Sequence, residues 1–174
     1  MTQTVRPGLV GTHMFHSRLF SNDWVLQDAA GTTIARIRRL PSIHVSNVVL
    51  ADHGRLQLKP EGWGRVVAFG DQEAAQIERE SWWGGRWRVS GKGFEYLMTS
   101  DHRPRRWTLR IGDHPMARLA GTSLSYNRVT LDTDFAVPIH AALLCWHVLA
   151  RPWEAAATPK VLVPRRDTDA AEAL

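Results

Sequence analysis

Apolar and polar residues alternate in short runs over most of this chain, and turn-forming residues separate the runs. Trp24 and Leu26 lie two positions apart, and the same spacing recurs at Trp107, Leu109 and Ile111. A period of two is that of a β-strand, in which alternate side chains share a face. Each set is therefore predicted to point to one face of a strand, towards a common core.

One unit occurs three times in a loose form: a strand, a turn with Gly or Asp, and a returning strand. The returning strands carry Ala35 with Ile37, Ala75 with Ile77, and Ala117 with Leu119. Strand–turn–strand units of this length are β-hairpins. With the other turn signals they predict an all-β protein of about 10–12 short strands, in an antiparallel barrel or sandwich. Closure into a barrel would remove exposed sheet edges.

Residues 137–150 are the one good helix candidate in the sequence, and they are apolar almost all the way round. Asp134 is placed in the N-cap region, Pro138 in the first turn, and Pro152 beyond the end. A helix that is apolar on every side is buried on every side. Fourteen residues fall short of the roughly 20 that span a bilayer. We therefore expect the barrel to enclose this helix, with the returning-strand alanines leaving room for it.

The two ends of the chain differ from its middle. Residues 1–12 are polar with a Pro-Gly pair, and residues 158–174 contain Pro159, Pro164 and a charged run. These segments are predicted to be a flexible N-terminus and a loose or partly ordered tail. Residues 13–157 are predicted to form a single barrel domain.

The succession of W-x-L and A-x-I/L hairpins before one apolar helix resembles the tubby C-terminal-like superfamily, which includes the phospholipid scramblases and the LURP-one-related proteins. The closest local match is residues 131–135 (LDTDF) leading into 141–145 (AALLC). The resemblance implies a closed barrel of roughly twelve strands around a central C-terminal helix. The chain lacks the Pro-rich and Cys-rich segments of scramblases, and the basic residues of the tubby phosphoinositide site have no match. Neither activity is therefore carried over.

The net charge and the cysteine content bear on the type of partner and on the cellular compartment. The net charge is +5 and the pI about 10.1, which permits an anionic partner. Cys145 is the single cysteine, so no intramolecular disulfide can form. Met1 to Val10 carries no apolar signal-peptide core. These features indicate a reducing compartment, and we expect the protein in the cytoplasm.

Two arginine clusters are the candidate anion-binding or lipid-binding residues. They are Arg36, Arg38 and Arg39, and then Arg103, Arg105 and Arg106. Basic clusters attract phosphate, lipid headgroups or nucleic acid. The alternative is a solvated face and a turn, because the arginine bias of the whole chain can come from GC-rich coding.

Three tryptophans are candidates for a surface contact. Trp63 lies in a predicted turn, and Trp82 and Trp83 are adjacent, so one of the pair faces outward. Exposed aromatic side chains contact membranes or protein partners. The alternative is a ring that lies flat on the barrel or is covered by a second subunit.

The candidate metal ligands form incomplete sets. Asp132 and Asp134 could contribute to a calcium site, but two carboxylates fall short of the 6–8 oxygen ligands that calcium takes. The alternative is a strand end followed by a helix cap. His140 and His147 share a helix face about 10 Å apart, too far to bind one metal. Cys145 lies on a different face from His140, so we expect the two histidines to be buried and hydrogen-bonded.

No nucleophile elbow, phosphate-binding glycine loop or paired-cysteine site occurs in the sequence. We therefore expect a non-enzymatic binding or scaffold module without a cofactor, whose partner is an anionic membrane surface or another protein. A small-molecule carrier or an enzyme with a barrel pocket is the alternative. Nucleic-acid binding through the arginine clusters is a further one. Trp107 adjoins the second cluster but alternates with Leu109 towards the core, so nucleic acid is not the expected partner.

Overall fold

The computed structural model describes residues 8–19, 21–70, 75–82, 84–101, 105–122 and 127–150. These residues form twelve strands, one short 3-10 turn at Pro41–Ile43 and one α-helix, α1, at Ile139–Leu149. The strands are β1 Leu9–Ser17, β2 Asp23–Asp28, β3 Thr33–Leu40, β4 Val45–Leu50, β5 Arg55–Pro60, β6 Arg65–Gly70, β7 Ala75–Arg79, β8 Arg86–Gly91, β9 Phe94–Ser100, β10 Arg106–Ile111, β11 His114–Gly121 and β12 Arg128–Val137.

The strands form one closed antiparallel barrel. Each strand pairs with its neighbours in sequence, and β1 pairs with β12 to close the ring. At this seam the Thr12 hydroxyl donates a hydrogen bond of 2.7 Å to Asp132 Oδ1. The closed all-β barrel predicted from the hairpin pattern is thus confirmed, and closure leaves no strand edge unpaired.

The sequence unit that recurs along the chain corresponds to a recurring set of cross-strand side-chain pairs. In the β2–β3 hairpin Trp24 lies opposite Ile37 and Leu26 opposite Ala35, and all four are buried. A tryptophan paired with a branched residue and a leucine paired with a small one fill the same layer of the core in each hairpin. The β10–β11 hairpin repeats this arrangement with Trp107 opposite Leu119 and Leu109 opposite Ala117.

Ile111 does not join this core. The register between β10 and β11 shifts between Leu109 and Arg110, and Ile111 is the last residue of β10 beyond that shift. Its side chain is exposed. The expectation that Ile111 shares the buried face of Leu109 is wrong. The regular in–out alternation of β10 ends at the register shift after Leu109, and Ile111 lies beyond it at the end of the strand.

The helix begins later than the sequence predicts. Val137 ends β12, where it pairs with Leu9, and Pro138 is the N-cap without a side-chain cap. Asp134 therefore lies within β12 and not in the helix cap. Because β1 begins at Leu9, residues 9–12 belong to the barrel wall and not to the flexible N-terminus predicted for 1–12.

The helix lies inside the barrel. Ten of its eleven residues are buried, and it contacts β6, β7, β8 and β12. On the other side, the Trp146 ring stacks on Phe15 of β1 with centroids 5.6 Å apart and meets Trp24 of β2 edge-on at 5.3 Å. Within the described residues, no helix has the length and apolarity needed to span a membrane.

Two polar contacts hold the C-terminal end of the helix. His147 Nδ1 lies 2.9 Å from the Ser46 hydroxyl of β4, and Arg39 Nη1 donates to the carbonyl of Ala150 at 3.1 Å. A cation at this position also offsets the partial negative charge of a helix C-terminus. We call this end of the barrel, where the β1–β2, β3–β4, β5–β6, β7–β8, β9–β10 and β11–β12 turns lie, the helix-exit end. The opposite end is the helix-entry end.

The buried thiol of Cys145 gives a test of this arrangement. Burial raises the pKa of Cys145 to about 12, and the thiolate is the reactive form. We expect Ellman's reagent at mildly alkaline pH to leave the native protein unmodified and to release one equivalent after unfolding in guanidinium. Rapid modification of the native protein would contradict the enclosed helix.

Candidate anion-binding surface and tryptophan cluster

Arg36 and Arg38 lie on the outer face of β3 and are exposed. Arg36 lies between Val25 of β2 and Val49 of β4, and Arg38 lies between Asp23 of β2 and Asn47 of β4. Within the described residues, neither guanidinium forms an ion pair. The charge of Arg36 is therefore open to an external anion, and Arg38 is open as well, although the Asp23 carboxylate is its cross-strand neighbour.

Arg39 and Arg105, by contrast, hold the chain itself. Arg39 binds the end of the helix, and the Arg105 guanidinium donates to the carbonyl of Thr122 in the next turn. The backbone of Arg105 has a φ of 59°, and its carbonyl accepts from Gly121 N–H at 2.9 Å. These two predicted site residues thus have structural partners. Arg103 lies outside the described residues.

Arg106 is the first residue of β10 and is exposed, with Ala120 opposite it on one side and Asp101 on the other, where the Asp101 amide donates to the Arg106 carbonyl at 2.8 Å. It forms no ion pair with a carboxylate of the described part of the chain. Strands β2, β1, β12 and β11 separate β10 from β3 around the ring. The two predicted arginine clusters therefore lie on nearly opposite sides of the barrel and share no patch of its wall.

Trp63 and Trp82 meet at the helix-exit end. Trp63 lies in the β5–β6 turn and Trp82 in the β7–β8 turn, and their ring centroids are 5.7 Å apart. Their exposed fractions are 69% and 57%. The sequence predicts them as separate candidates, and the structure brings them together because the two turns are neighbours on one rim. Trp83 lies outside the described residues.

Arg79 connects this tryptophan pair to the core. Its guanidinium lies 5.4 Å from the centroid of Trp63 and 5.8 Å from that of buried Trp87. Partial burial lowers the pKa of Arg79. Its Nε also donates to the Ser81 carbonyl at 3.1 Å, so the turn that carries Trp82 is held in place. Sequence reasoning missed Arg79, because Arg79 ends β7 whereas its ring partner Trp63 lies in the β5–β6 turn of another hairpin.

Leu19 and Ile43 are two further exposed apolar residues at this end that the sequence reasoning missed. Leu19 lies in the β1–β2 turn, and Ile43 ends the 3-10 turn between β3 and β4. The signal that singled out Trp63, an apolar residue within a predicted turn, could have found both. Together with Trp63 and Trp82, they make four exposed apolar side chains on four turns of one rim.

Asp132 and Asp134 both lie on β12, exposed to solvent. Asp132 faces Arg118 across the β11–β12 pair and accepts the hydrogen bond from Thr12. Among the described residues, no group of three or more potential ligand side chains could hold a metal ion. The predicted calcium pair therefore gains no third ligand in the described part of the chain.

These features define a closed twelve-stranded barrel around a helix, with arginines on its wall and tryptophans on one rim. The fold is similar to the X-ray structure of a protein from Arabidopsis thaliana, AT5G01750. The TM-score is 0.56 at 10% identity, over 83% of this chain and 94% of that one. The likeness establishes the fold alone. No family model and no curated protein matches the sequence.

Proposed function

We propose that this protein is a non-enzymatic binding module whose outer surface holds anionic phosphate groups, in particular the headgroups of membrane lipids. The observation that carries the proposal is the state of Arg36, Arg38 and Arg106. All three are exposed, and within the described residues they have no ion-pair partner. Arginine pairs readily with phosphate because its planar fork offers several donors.

The position of the helix supports a binding site on the surface. A carrier barrel holds its ligand in the interior, and here the interior contains α1 with ten buried residues. Trp146, the largest of the fully buried side chains, occupies the space between Phe15 and Trp24. The surface arginines are therefore better placed for a ligand than the barrel interior.

The proposal extends to membership of the tubby C-terminal-like superfamily. It is supported by the hairpin motif, the enclosed helix and the fold likeness to the Arabidopsis protein, which is a LURP-one-related protein. We also propose that the protein lies in the cytoplasm, where anionic lipids give the inner leaflet of the plasma membrane a negative surface potential.

Vesicle flotation tests the proposal. We expect the protein to float with vesicles of phosphatidylcholine mixed with phosphatidylserine, and not with phosphatidylcholine alone. Each arginine near an anionic surface contributes about 1 kcal/mol, so Arg38→Gln with Arg106→Gln should weaken binding on the order of thirtyfold. Added salt should weaken the wild-type interaction as well, because it screens exposed charges.

The matched control is Arg88→Gln with Arg110→Gln, which removes the same charge from side chains that already have partners, because Arg88 pairs with Glu80 and Arg110 donates to the Asp113 carbonyl. It should bind nearly as well as the wild type. Titration with inorganic phosphate separates recognition of phosphate itself from recognition of a lipid surface. Equal binding to neutral and anionic vesicles, together with no affinity for inorganic phosphate, would refute the proposal.

A further inference from the structure

The positions of the arginines restrict how the barrel can meet a flat surface. Arg38 and Arg106 lie on nearly opposite sides of the ring, so no flat surface can touch both along the wall. Arg38 is near the end of β3 and Arg106 begins β10, which places both close to the helix-exit end. A flat partner that engages both arginines must therefore face this end.

The same end carries four exposed apolar turn residues, Leu19, Ile43, Trp63 and Trp82. The helix-entry end also has exposed apolar side chains, including Val10, Phe69, Ile111 and Phe135, but these lie on strands and not in turns. The four turn residues occupy the β1–β2, β3–β4, β5–β6 and β7–β8 turns, which follow one another around the rim. Large apolar side chains at the tips of successive turns find no core to pack against. What distinguishes this end is that Trp63 and Trp82 pack against each other in an exposed aromatic pair, and that basic side chains surround it.

Charge is distributed unevenly between the two ends. Among the described residues, basic side chains outnumber acidic ones at the helix-exit end, whereas acidic side chains outnumber basic ones at the helix-entry end. Beyond Arg38, Arg39, Arg105 and Arg106, the basic residues of the helix-exit end are Arg18, Lys59, Arg65, Arg79, Arg86 and Arg128, and its acidic residues are Asp23, Glu61, Glu78, Glu80 and Asp101. The helix-entry end carries Arg55, Lys92 and Arg110 with Asp28, Asp52, Glu95, Asp113 and Asp134.

We propose that the barrel docks end-on on an anionic lipid bilayer, with the helix-exit end towards the membrane. Leu19, Ile43, Trp63 and Trp82 enter the headgroup region, while Arg38 and Arg106 bind phosphates beside them. This inference rests on the proposed function and adds the face and the orientation of the bound protein. Arg36 lies farther along β3 and contributes less than Arg38.

The chemistry of the rim fits the interfacial layer of a bilayer. Tryptophan prefers this layer because its ring is apolar while its indole N–H can hydrogen-bond to headgroups and water. Arginine side chains around the ring can reach the phosphates of the same layer. The contacts of Arg79 with Trp63 and with the Ser81 carbonyl hold the pair at the rim before any membrane is present.

Fluorescent labels at matched positions test the orientation. Because Cys145 is buried, a cysteine introduced by Ile43→Cys or Phe135→Cys can be labelled selectively with the environment-sensitive dye NBD. Ile43 and Phe135 are similarly exposed, at 59% and 52%, but lie at the helix-exit and helix-entry ends. On phosphatidylcholine–phosphatidylserine vesicles, we expect NBD at position 43 to shift to the blue and to be quenched by nitroxide-labelled lipids. NBD at position 135 should remain unchanged.

The outcomes separate the two proposals. Flotation without any change at position 43, or with equal changes at both positions, overturns end-on docking and leaves anionic-lipid binding intact. The absence of flotation and of phosphate affinity overturns the proposed function itself. A blue shift at position 43 that grows with protein concentration without vesicles would assign the rim to self-association and overturn the inference.

Variants at the rim give a second measure. Trp63→Ala with Trp82→Ala removes two exposed rings, and we expect vesicle binding to fall at least tenfold. The matched control, Val10→Ala with Phe135→Ala, removes exposed apolar side chains at the helix-entry end and should bind like the wild type. Thermal unfolding of each variant checks that the barrel remains folded. Equal losses in the two double variants would contradict the inference.

Discussion

Replacing Trp146 with alanine is expected to destabilise the protein by about 3–5 kcal/mol, the range for deleting a large aromatic side chain from a packed core. Trp146 is fully buried, stacks on Phe15 and meets Trp24 edge-on, so its removal leaves a cavity between the helix and the β1–β2 wall. Guanidinium unfolding followed by circular dichroism measures the change in the free energy of unfolding.

Trp146→Phe is the matched control for this effect. It keeps a ring against Phe15, and it removes no hydrogen bond, because Trp146 Nε1 has no partner among the described residues. We expect a clearly smaller loss than for alanine. A second reference is Trp63→Ala, which truncates an exposed ring and should change stability little. A loss below about 1 kcal/mol for Trp146→Ala would show that the helix does not fill the barrel.

Leu143→Asp is expected to have the largest effect, about 5 kcal/mol or more, because it places a charge without a partner in the middle of the enclosed helix. Leu143 is fully buried. A typical domain is stable by only about 5–15 kcal/mol, so this variant is expected to be largely unfolded at neutral pH. Near-ultraviolet circular dichroism and proteolysis measure the loss of the packed state.

The pH dependence of stability and a conservative variant show whether the buried charge causes the destabilisation by Leu143→Asp. Burial raises the folded-state pKa of the introduced carboxyl above its unfolded value of about 3.9. The ionisation penalty is therefore absent below that pH and grows as the pH rises, so Leu143→Asp should be closest to wild-type stability in acid. Leu143→Met keeps the volume and should cost less than about 1.5 kcal/mol. Equal damage from both variants at every pH would argue against burial of the charge.

The barrel and its helix could be predicted from the local sequence pattern, because the hairpins repeat the same alternation of buried and exposed residues. Trp24 with Leu26, and Ala35 with Ile37, show in the sequence the alternation that the paired strands later confirm. The apolar helix needed no partner to be recognised, since a segment without a polar face has to be enclosed. These features depend on neighbours within one hairpin or one helix.

Features that depend on distant parts of the chain could not be predicted from the local pattern. The sequence groups Arg39 with its neighbours Arg36 and Arg38, and it gives no sign of the contact with the Ala150 carbonyl, 111 positions later. The helix start was misplaced because β12 continues to Val137 by pairing with Leu9. The tryptophan cluster depends on two turns meeting at one rim, which only the closed ring establishes.

The seam between β1 and β12 also sets the order of events during synthesis. Strand β1 can pair with β12 only late in synthesis, because Asp132, the hydrogen-bond partner of Thr12, is added 120 residues after it. Until then β1 offers an unsatisfied edge to any other extended chain. Contacts this distant in sequence slow folding. A nascent chain stalled before β12 would therefore be an open sheet with an unpaired edge, and we expect it to depend on chaperones far more than the complete barrel does.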